Sequence, residues 1–460
     1  NRISSLREAI SYRSREQDSI RIWSNQLKEE ERSILSMVPD YKERLLNAFH
    51  SWTDIRDALK DDEIAVDFSY VPKMKGWDDA DGFYGAFVIT KDSKNPQLVS
   101  LCEVDSINQY FTEAISDAVQ ISKLYQESRP IYKKIWGKLE NYLKGKKTIY
   151  FSPTGQLNLL NHNALLMSNG EAFGNCYNLV RLSSTDKILS IDSIDRKYQS
   201  AVVYGGILYD LSVADMREAA NQYNHHGEDQ FLLAMRSEDE RGHWNYLPGT
   251  KTESLNIYSL LTSNNISTKL LQEKDANEES FKALSGNSPQ IIHLSTHGFF
   301  LDTTDKVKKN PFMNNVGNYS DKEDKLIRTG VLMAGANNVW CGKNQVTGIE
   351  DGILTADEIS RLDLSGTKLV VLSACETAKG QIDEIDGVLG LQRGLKKAGV
   401  GSILMSLWKV SDAVTSILMT HFYEDIGKGI DPRESLRNAA QKVKEQYPDP
   451  YFWASFVMLD

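Results

Sequence analysis

Two short apolar stretches each lead into a side chain that can carry out nucleophilic or proton-transfer chemistry. Residues 290–298 read Gln-Ile-Ile-His-Leu-Ser-Thr-His-Gly and lead into His297. Residues 368–377 read Lys-Leu-Val-Val-Leu-Ser-Ala-Cys-Glu-Thr and lead into Cys375. A thiolate is a strong nucleophile, and an imidazole can exchange protons near neutral pH. The pair therefore indicates a cysteine hydrolase that uses a Cys–His dyad.

The apolar stretches before these two residues are predicted to be buried strands. Further strands are predicted to begin near residues 64, 82, 147, 201, 267, 402 and 456, with helical patterns between most of them. This alternation predicts an α/β fold with a mainly parallel sheet covered by helices. Catalytic groups in such sheets lie at the carboxyl ends of the strands, which is where His297 and Cys375 are predicted.

The chain is predicted to have three parts. Residues 1–60 carry apolar side chains at helical spacing among many charges, which predicts a helical segment. Residues 61–195 are predicted to form a first α/β unit, and residues 196–460 form a second that carries the dyad. Two polar stretches, 221–248 and 301–348, are predicted to be long loops, although residues 330–334 have the pattern of a short strand. Long loops in a compact domain are often functional.

Capping patterns predict several helix starts. Thr250 with Glu253, and Thr355 with Glu358, have the spacing of capping boxes. Asp431 precedes a proline that would occupy the first helical position.

Composition narrows the class of protein. The 460 residues carry a net charge of −10, which argues against nonspecific binding to nucleic acid. No run of 18 or more apolar residues predicts a membrane span. The four cysteines are far apart and lack zinc-site spacing, so we expect free thiols in a reducing, cytoplasmic compartment, with no metal and no cofactor. The sequence also lacks the serine-hydrolase elbow, the phosphate-binding loop and the zinc-protease helix.

Each candidate residue also has a structural interpretation. Taken alone, Cys375 would fit a small core residue and His297 a turn histidine beside glycine, and the two strand ends together favour the dyad. His293 lies four residues before His297, a spacing that suits a metal pair only on a helix, so we predict a buried, hydrogen-bonded core histidine. The remaining thiols and the histidines of the polar loop are predicted to have no catalytic role: Cys102, Cys176, Cys341, His225, His226 and His243.

Several further stretches resemble the CHAT domain, a branch of the caspase-like cysteine peptidases related to separase. The resemblance spans about residues 61–460. In its first half, Tyr-Phe-Ser-Pro-Thr-Gly-Gln-Leu-Asn-Leu-Leu at residues 150–160 resembles the entry to these domains. The other matching stretches are residues 247–253, 292–298, 351–359, 371–377, 386–391, 406–412, 438–440 and 453–457.

The resemblance implies specific roles. His297 would act as general base and acid, Cys375 as nucleophile, and the backbone N–H groups of Gly298 and Cys375 as the oxyanion hole. The fold would be caspase-like, and residues 61–195 would form an inactive caspase-like half that supports the active half. The sequence around Cys375 differs from the caspase signature, which argues against cleavage after aspartate.

The stretch Trp408-Lys-Val-Ser-Asp412 resembles a separase segment that contributes an acidic residue to the substrate pocket. By this resemblance Trp408 and Asp412 are substrate-binding residues, and a carboxylate there would favour cleavage after Arg or Lys. A second interpretation remains open, in which Ser411 or Asp412 only caps the helix that begins near Ala413.

Partners follow from the same resemblance. Such proteases commonly follow tetratricopeptide repeats, so residues 1–60 would be the end of a helical array. The protein would be a bacterial protease that an upstream sensor or regulatory partner activates in antiviral defence or cell death, with a gasdermin-like effector as a candidate substrate. The alternatives are a non-catalytic caspase-like scaffold and a hydrolase of a non-peptide acyl group.

Overall fold

The protein is described here from a computed structural model. The structure describes residues 50–72, 82–111, 117–191, 197–223, 242–300, 326–342, 347–373, 384–408 and 410–460. Within residues 384–389 only the backbone is described. Cys375, most of the predicted N-terminal helical segment, His225 and His226 lie outside these residues. The described residues from 55 to 300 and from 326 to 460 belong to one compact unit.

The strands and helices mostly follow the sequence patterns. The strands are β1 Glu63–Pro72, β2 Gly82–Thr90, β3 Gln97–Glu103, β4 Thr148–Ser152, β5 Asn178–Arg181, β6 Ser200–Ile207, β7 Ser267–Glu273, β8 Ile291–Leu294, β9 Gly298–Phe300, β10 Thr329–Leu332, β11 Ile353–Thr355, β12 Leu369–Leu372, β13 Ser402–Ser406 and β14 Phe456–Leu459. The helices are α1 Trp52–Ala58, α2 Asp105–Asn108, α3 Ala118–Gln126, α4 Arg129–Ile135, α5 Glu140–Leu143, α6 Phe173–Cys176, α7 Ile188–Ile191, α8 Val213–Ala220, α9 Pro248–Ser263, α10 Glu278–Lys282, α11 Asn337–Trp340, α12 Ala356–Ser360, α13 Glu384–Lys397, α14 Asp412–Gly427, α15 Pro432–Gln446 and α16 Pro450–Trp453.

The first sheet is mixed and has the order β3-β2-β1-β4-β5. β1 runs antiparallel to β2 and parallel to β4. β5 was not predicted because its four residues, Asn-Leu-Val-Arg, are too short for a periodic signal. β3, at the opposite edge, leaves several side chains exposed and has a correspondingly weak pattern.

The second sheet has the order β14-β13-β12-β8-β6-β7 and confirms the prediction of a mainly parallel sheet. All neighbouring pairs are parallel except β13 with β14. Every residue of the central strands β8 and β12 is buried, as expected for a sheet covered on both faces. Because β7 and β8 lie on opposite sides of β6, the strand order reverses at β6, and ligands bind at such points in open α/β sheets.

A small antiparallel sheet of order β11-β10-β9 extends from the end of β8. Gly298, the first residue of β9, pairs with Val331 of β10. This sheet contains the short strand predicted at residues 330–334. β9 and β11 have three residues each and were not predicted.

Helix α9 packs on β6 and β7 and against α14. Its close approach to the sheet requires Gly205, since a Cβ there would lie 2.5 Å from the Thr250 carbonyl oxygen and 2.7 Å from Ser254 Cβ. The helix therefore comes close enough for a side chain on its inner face to reach the central strands.

The capping predictions had different outcomes. Thr355 and Glu358 form the predicted capping box of α12, and Asp431 caps α15 by accepting from two backbone N–H groups, so both predictions are confirmed. The Thr250–Glu253 capping box is wrong, because α9 begins at Pro248 after Leu247. Glu253 is buried and bonds to other elements.

The first two sheets meet at their edges. Asp460, just after β14, donates its N–H to the carbonyl of Arg181 at 3.1 Å, and Ser183 N–H donates to the carbonyl of Asp460 at 2.9 Å. Both sheets thus belong to one compact unit. The functional division near residue 195 stays a prediction.

Candidate active site

His297 lies just beyond the carboxyl end of β8, and its main chain is held on two sides. Its N–H donates to the Tyr209 hydroxyl at 3.3 Å, and its carbonyl accepts from Leu332 N–H at 2.9 Å. Tyr209 follows β6, the strand at which the order reverses, and His297 follows its neighbour β8. Residues after both strands therefore contribute to the site. Only 2% of the His297 surface is exposed.

The His297 imidazole is oriented by a main-chain carbonyl. Its Nε2 lies 2.8 Å from the oxygen of Asn245. Because a carbonyl can only accept, Nε2 carries a hydrogen, and Nδ1 is the nitrogen that can take up a proton in the neutral ring. The rings of Trp244 and Tyr209 lie 4.9 and 5.0 Å from the imidazole, centroid to centroid.

Sequence reasoning found no third residue to orient this histidine. The structure supplies one from the segment just before α9. A main-chain oxygen leaves no signature in residue type, so no sequence signal could have identified Asn245.

Gly298 is suited to donate a hydrogen bond to a reacting oxygen. The bond from Leu332 N–H to His297 makes these two residues a hydrogen-bonded antiparallel pair. The next pair, Gly298 with Val331, is then a non-hydrogen-bonded pair, so the Gly298 N–H points away from β10. β9 is the edge strand of the small sheet among the described residues, so this N–H is directed away from the paired strands of that sheet.

Cys375 lies outside the described residues, but the strand leading to it is described. β12 pairs in parallel with β8, with Leu372 opposite Leu294. Ser373 N–H then donates to the Leu294 carbonyl at 2.9 Å. The chain therefore leaves β12 two residues before Cys375, beside the strand that ends near His297.

Glu253 connects the ends of β8 and β12 through hydrogen bonds to its side chain. One of its carboxylate oxygens accepts from His293 Nε2 at 3.0 Å, from Ser295 Oγ at 3.2 Å and from Ser373 Oγ. Glu253 is 4% exposed. It thus ties α9 to β8 and to the residue two positions before Cys375. Sequence reasoning missed this role because Glu253 stood at capping-box spacing.

His293 is a core residue, as predicted. It is fully buried, and its Nδ1 accepts from the Tyr423 hydroxyl at 3.1 Å while Nε2 faces Glu253. Burial, followed by the charge of Glu253, raises the pKa of Tyr423 well above its usual value, which keeps the hydroxyl protonated as a donor. Both ring nitrogens are used, so His293 is confirmed as a hydrogen-bonded histidine.

Trp408 and Asp412 lie beyond the carboxyl end of β13. Trp408 is buried, and its indole N–H donates to the Tyr451 carbonyl at 2.9 Å. Ser411 is the N-cap of α14, and Asp412 is the first residue of that helix and is exposed. The Asp412 carboxylate lies against Gly249 near the start of α9, where an added Cβ would be 2.9 Å from its Oδ2. Ser411 therefore performs the capping, and the Asp412 carboxylate is not needed for it.

A buried acidic cluster lies on the other side of the small sheet. Lys282 Nζ is 2.9, 2.8 and 2.9 Å from carboxylate oxygens of Glu278, Glu350 and Glu358. These three carboxylates lie close enough together to hold a metal ion, but the Lys282 ammonium already supplies a positive charge among them. Burial raises the pKa values of Glu350 and Asp351 to about 7.

This cluster holds the strand β11 in place. Glu278 accepts from Gly352 N–H, and Glu279 accepts from Glu350 N–H, both at 2.9 Å. Since β11 pairs with β10, and β10 holds His297, the cluster supports the site indirectly.

The other described thiols lack features that favour a thiolate. Burial raises the pKa of Cys102 and of Cys176, in the latter case helped by Glu171. Cys341 is partly buried beside Asn337. His243 is half-exposed and pairs with Asp210, at 2.9 Å. That none of them is catalytic stays a prediction.

Comparison with known proteins identifies the family. The family model of the CHAT domain matches residues 126–459, which is most of the chain. The protein belongs to the CHAT-domain family. The resemblance inferred from its motifs is thereby confirmed.

Two curated relatives match this CHAT-domain protein over a short region. Tetratricopeptide repeat protein 28 of Mus musculus is 33% identical over 109 residues, and its Homo sapiens counterpart is 29% identical over 113 residues. These matches cover 23% and 24% of this chain but only 4% of each relative.

Among solved structures, this CHAT-domain protein is similar to the Arg-specific cysteine proteinase gingipain R, with a TM-score of 0.34 and 9% identity over 75% of this chain and 67% of that one. A complex of the pro- and mature domains of the Porphyromonas gingivalis protein gives a TM-score of 0.34 and 10% identity over 75% of this chain and 68% of that one.

No helix within the described ranges is long and apolar enough to cross a membrane.

Proposed function

We propose that this CHAT-domain protein is a cysteine endopeptidase in which Cys375 is the nucleophile and His297 the general base and acid. The observation that carries the proposal is the orientation of His297. Its Nε2 is bound to a main-chain oxygen, and it lies at the end of β8, beside the strand that leads to Cys375.

The proposed reaction has two stages. Nδ1 of His297 takes the thiol proton, and the Cys375 sulfur attacks the carbonyl carbon of the scissile peptide. The carbonyl oxygen becomes an oxyanion, to which the N–H groups of Gly298 and Cys375 would donate. His297 then gives its proton to the leaving amine as the C–N bond breaks, and water hydrolyses the remaining thioester through the same histidine.

Asp412 is the proposed specificity residue. It is exposed beyond β13, next to the reactive strand β12 in the same sheet, and Ser411 caps the helix without it. An exposed carboxylate near the substrate path favours a basic side chain before the cut. Trp408 would instead stabilise the pocket wall from behind, since its ring is buried and its N–H is bonded to Tyr451.

Regulation is part of the proposal. His297 is 2% exposed and lies under Trp244, so a substrate requires the segment around Trp244 to move. We propose that an upstream helical array or a regulatory partner causes this movement in bacterial defence or cell death, and that the substrate is a protein effector such as a gasdermin-like protein. The relatives' name, which refers to tetratricopeptide repeats, fits such an array.

The burial of His297 also gives the second candidate function its support. A caspase-like scaffold that binds partners without catalysis would tolerate a covered histidine. The two functions differ in one respect: only the peptidase requires Cys375 and His297 for turnover in the presence of an activator.

Cleavage of a diverse peptide library by the full chain, with its activating partner present and turnover by the unmodified chain established first, tests the proposal, with His421→Ala as the matched control for His297→Ala. His421 is a half-exposed helix residue paired with Glu424 and lies outside the site. We expect His297→Ala to lower kcat/KM by about 100-fold or more while His421→Ala leaves it unchanged. Equal turnover by the two variants would refute the role of His297.

A further inference from the structure

A cavity that His297 does not line lies where the first sheet meets α15, α16 and β14. Its volume is about 290 Å³, and it is lined from one side by β4, β5 and α6 and from the other by α15 and β14. It is therefore built by the unit predicted to be inactive together with the last elements of the unit that carries His297. No residue assigned to the dyad lines it.

Arg181 is the main polar group of this cavity. The residue is 5% exposed, and its Nη2 donates to the neutral side-chain oxygen of Asn158 at 3.0 Å. Its Nε and Nη1 are buried and have no hydrogen-bond partner among the described residues. Burial lowers the pKa of Arg181 to about 10, so the group remains charged at neutral pH. A buried guanidinium without a carboxylate partner is costly unless a ligand supplies the negative charge.

Three further basic side chains line the same cavity. Arg433 forms ion pairs with two carboxylates outside the lining, through Nε to Asp460 at 2.6 Å and through Nη1 to Asp431 at 3.7 Å, while its buried Nη2 has no partner among the described residues. Arg437 donates to Asn178 at 2.7 Å, and Lys444 lies over the Trp453 ring at 4.6 Å. The lining contains four basic residues and no aspartate or glutamate.

His162 does not add to this charge. Trp136 Nε1 donates to its Nδ1 at 3.0 Å, and Nε2 faces the Leu157 carbonyl at 3.0 Å. Burial, and next the neighbouring charge of Arg181, keep its pKa low, at about 3, despite the Leu157 hydrogen bond. The imidazole is therefore neutral and fixed.

The rest of the wall is apolar. Phe151, Leu160, Leu179, Phe456 and Met458 face the cavity beside the basic groups. Ligand sites typically combine a mostly apolar wall with a few convergent polar groups. The combination here fits a molecule with one strongly anionic end and one apolar or aromatic part.

We propose that this cavity binds a small organic phosphate, whose phosphate group is held by Arg181 and Arg433 and whose apolar part packs on the wall formed by Phe151, Leu160 and Phe456. A phosphate monoester carries up to two negative charges at neutral pH and accepts bidentate bonds from arginine. The two negative charges of a phosphate monoester complement four basic residues better than the one charge of a carboxylate ligand does. The ligand would bridge the two sheets that meet at Arg181 and Asp460.

Calorimetric titration of the full chain at constant ionic strength tests the proposal, with phenyl phosphate, inorganic phosphate and benzoate as probes. We expect phenyl phosphate to bind more tightly than benzoate, and Arg181→Met to weaken its binding by about tenfold or more. Arg217→Met, at an exposed position on α8, is the matched control and should bind as the unmodified protein does.

A thermal-denaturation series keeps the test decisive if a variant folds poorly. Because Arg181→Met removes a buried charge that lacks a counterion, the variant should unfold at the same or a higher temperature without ligand and should lose the stabilisation by phenyl phosphate. Arg437→Met provides a second variant at the rim of the cavity and should weaken binding too. The proposal is overturned if neither phosphate probe binds, if benzoate binds more tightly, or if Arg181→Met binds phenyl phosphate like the control. Peptidase activity does not enter these readouts, so the result is independent of the proposed function.

Discussion

The main-chain oxygen of Asn245 lies 2.8 Å from Nε2 of His297 and orients the ring without bringing a negative charge. A carboxylate in this place would add a negative charge beside the ring, whereas a carbonyl fixes the tautomer through its hydrogen bond alone. The residue before the orienting atom is Trp244, whose ring lies 4.9 Å from the imidazole, centroid to centroid, so one segment contacts His297 in two ways.

Tyr209 tests how strongly the His297 backbone must be held. Its hydroxyl bonds to Thr296 Oγ1 at 2.9 Å and accepts from His297 N–H. Tyr209→Phe should destabilise the protein by about 1 kcal/mol and lower kcat/KM by up to about 100-fold through misplacement of the ring. Asn245→Ala is the control, because it keeps the main-chain oxygen and should change little. Denaturant unfolding and peptide turnover measure both, and equal behaviour of the two variants would contradict the assigned role of Tyr209.

Glu253 should couple stability to activity. Glu253→Gln removes the charge from the oxygen that receives His293, Ser295 and Ser373. We expect a loss of about 1–3 kcal/mol in unfolding free energy and a lower kcat, because the residue two positions before Cys375 loses its anchor. The control Glu218→Gln breaks only an exposed ion pair with Lys274 and should cost little. A variant at Glu253 with wild-type stability and kcat would rule out the anchoring role.

Asp412 should determine what is cut. Asp412→Asn removes the charge while Ser411 still caps α14, so the fold should be preserved. The ratio of kcat/KM for Arg or Lys before the cut to that for a neutral residue should fall by about tenfold or more. Ser411→Ala serves as control, with about 1 kcal/mol less stability and an unchanged ratio. An unchanged preference in Asp412→Asn would show that Asp412 does not set the specificity. A wild-type preference for aspartate or large apolar residues before the cut would show the same.

The acidic cluster around Lys282 should make stability depend on pH. Burial, with the charge of Glu358 next in importance, raises the pKa of Asp351 from 3.8 to about 7. A carboxyl whose pKa is raised by folding stabilises the protein fully at low pH and loses that contribution as the pH rises through about 7. The unfolding free energy should therefore fall between about pH 4 and 7, by up to about 1.4 kcal/mol per pH unit from this group, and should show no further slope from it above that range.

Asp351→Asn should flatten that slope, since the amide oxygen can still accept from Ile353 N–H. Asp62→Asn, at an exposed ion pair with Lys147, should keep the wild-type slope. Denaturant titrations at several pH values give the comparison. A slope in Asp351→Asn identical to that of wild type would mean that Asp351 does not titrate in this range.

Much of the fold was accessible from the sequence where the pattern was long and buried. β12 is apolar throughout, β8 is apolar except for His293, and both are buried along their whole length, so their boundaries were predicted almost to the residue. β5, β9 and β11 were missed because three or four residues carry too little periodicity and form through pairing with distant strands.

The site was accessible only in part. Residue type and strand position suffice to propose His297 and Cys375. Asn245 acts through a main-chain atom, and Glu253 acts through contacts with residues far along the chain, so neither is visible in local sequence. Arg181 was overlooked for a similar reason, since an arginine at a strand end is ordinary until its burial is known.

The central claim is tested most directly by covalent labelling. The full chain, with its activating partner or substrate present, is treated with a peptide electrophile that carries a basic residue before the reactive group. The masses of the intact protein and of its digested peptides are then measured by mass spectrometry. We expect one adduct, on Cys375, which is absent in Cys375→Ala and forms more slowly in His297→Ala. Labelling of Cys102, Cys176 or Cys341 instead, or no adduct on Cys375 under conditions in which the partner is bound, would contradict it.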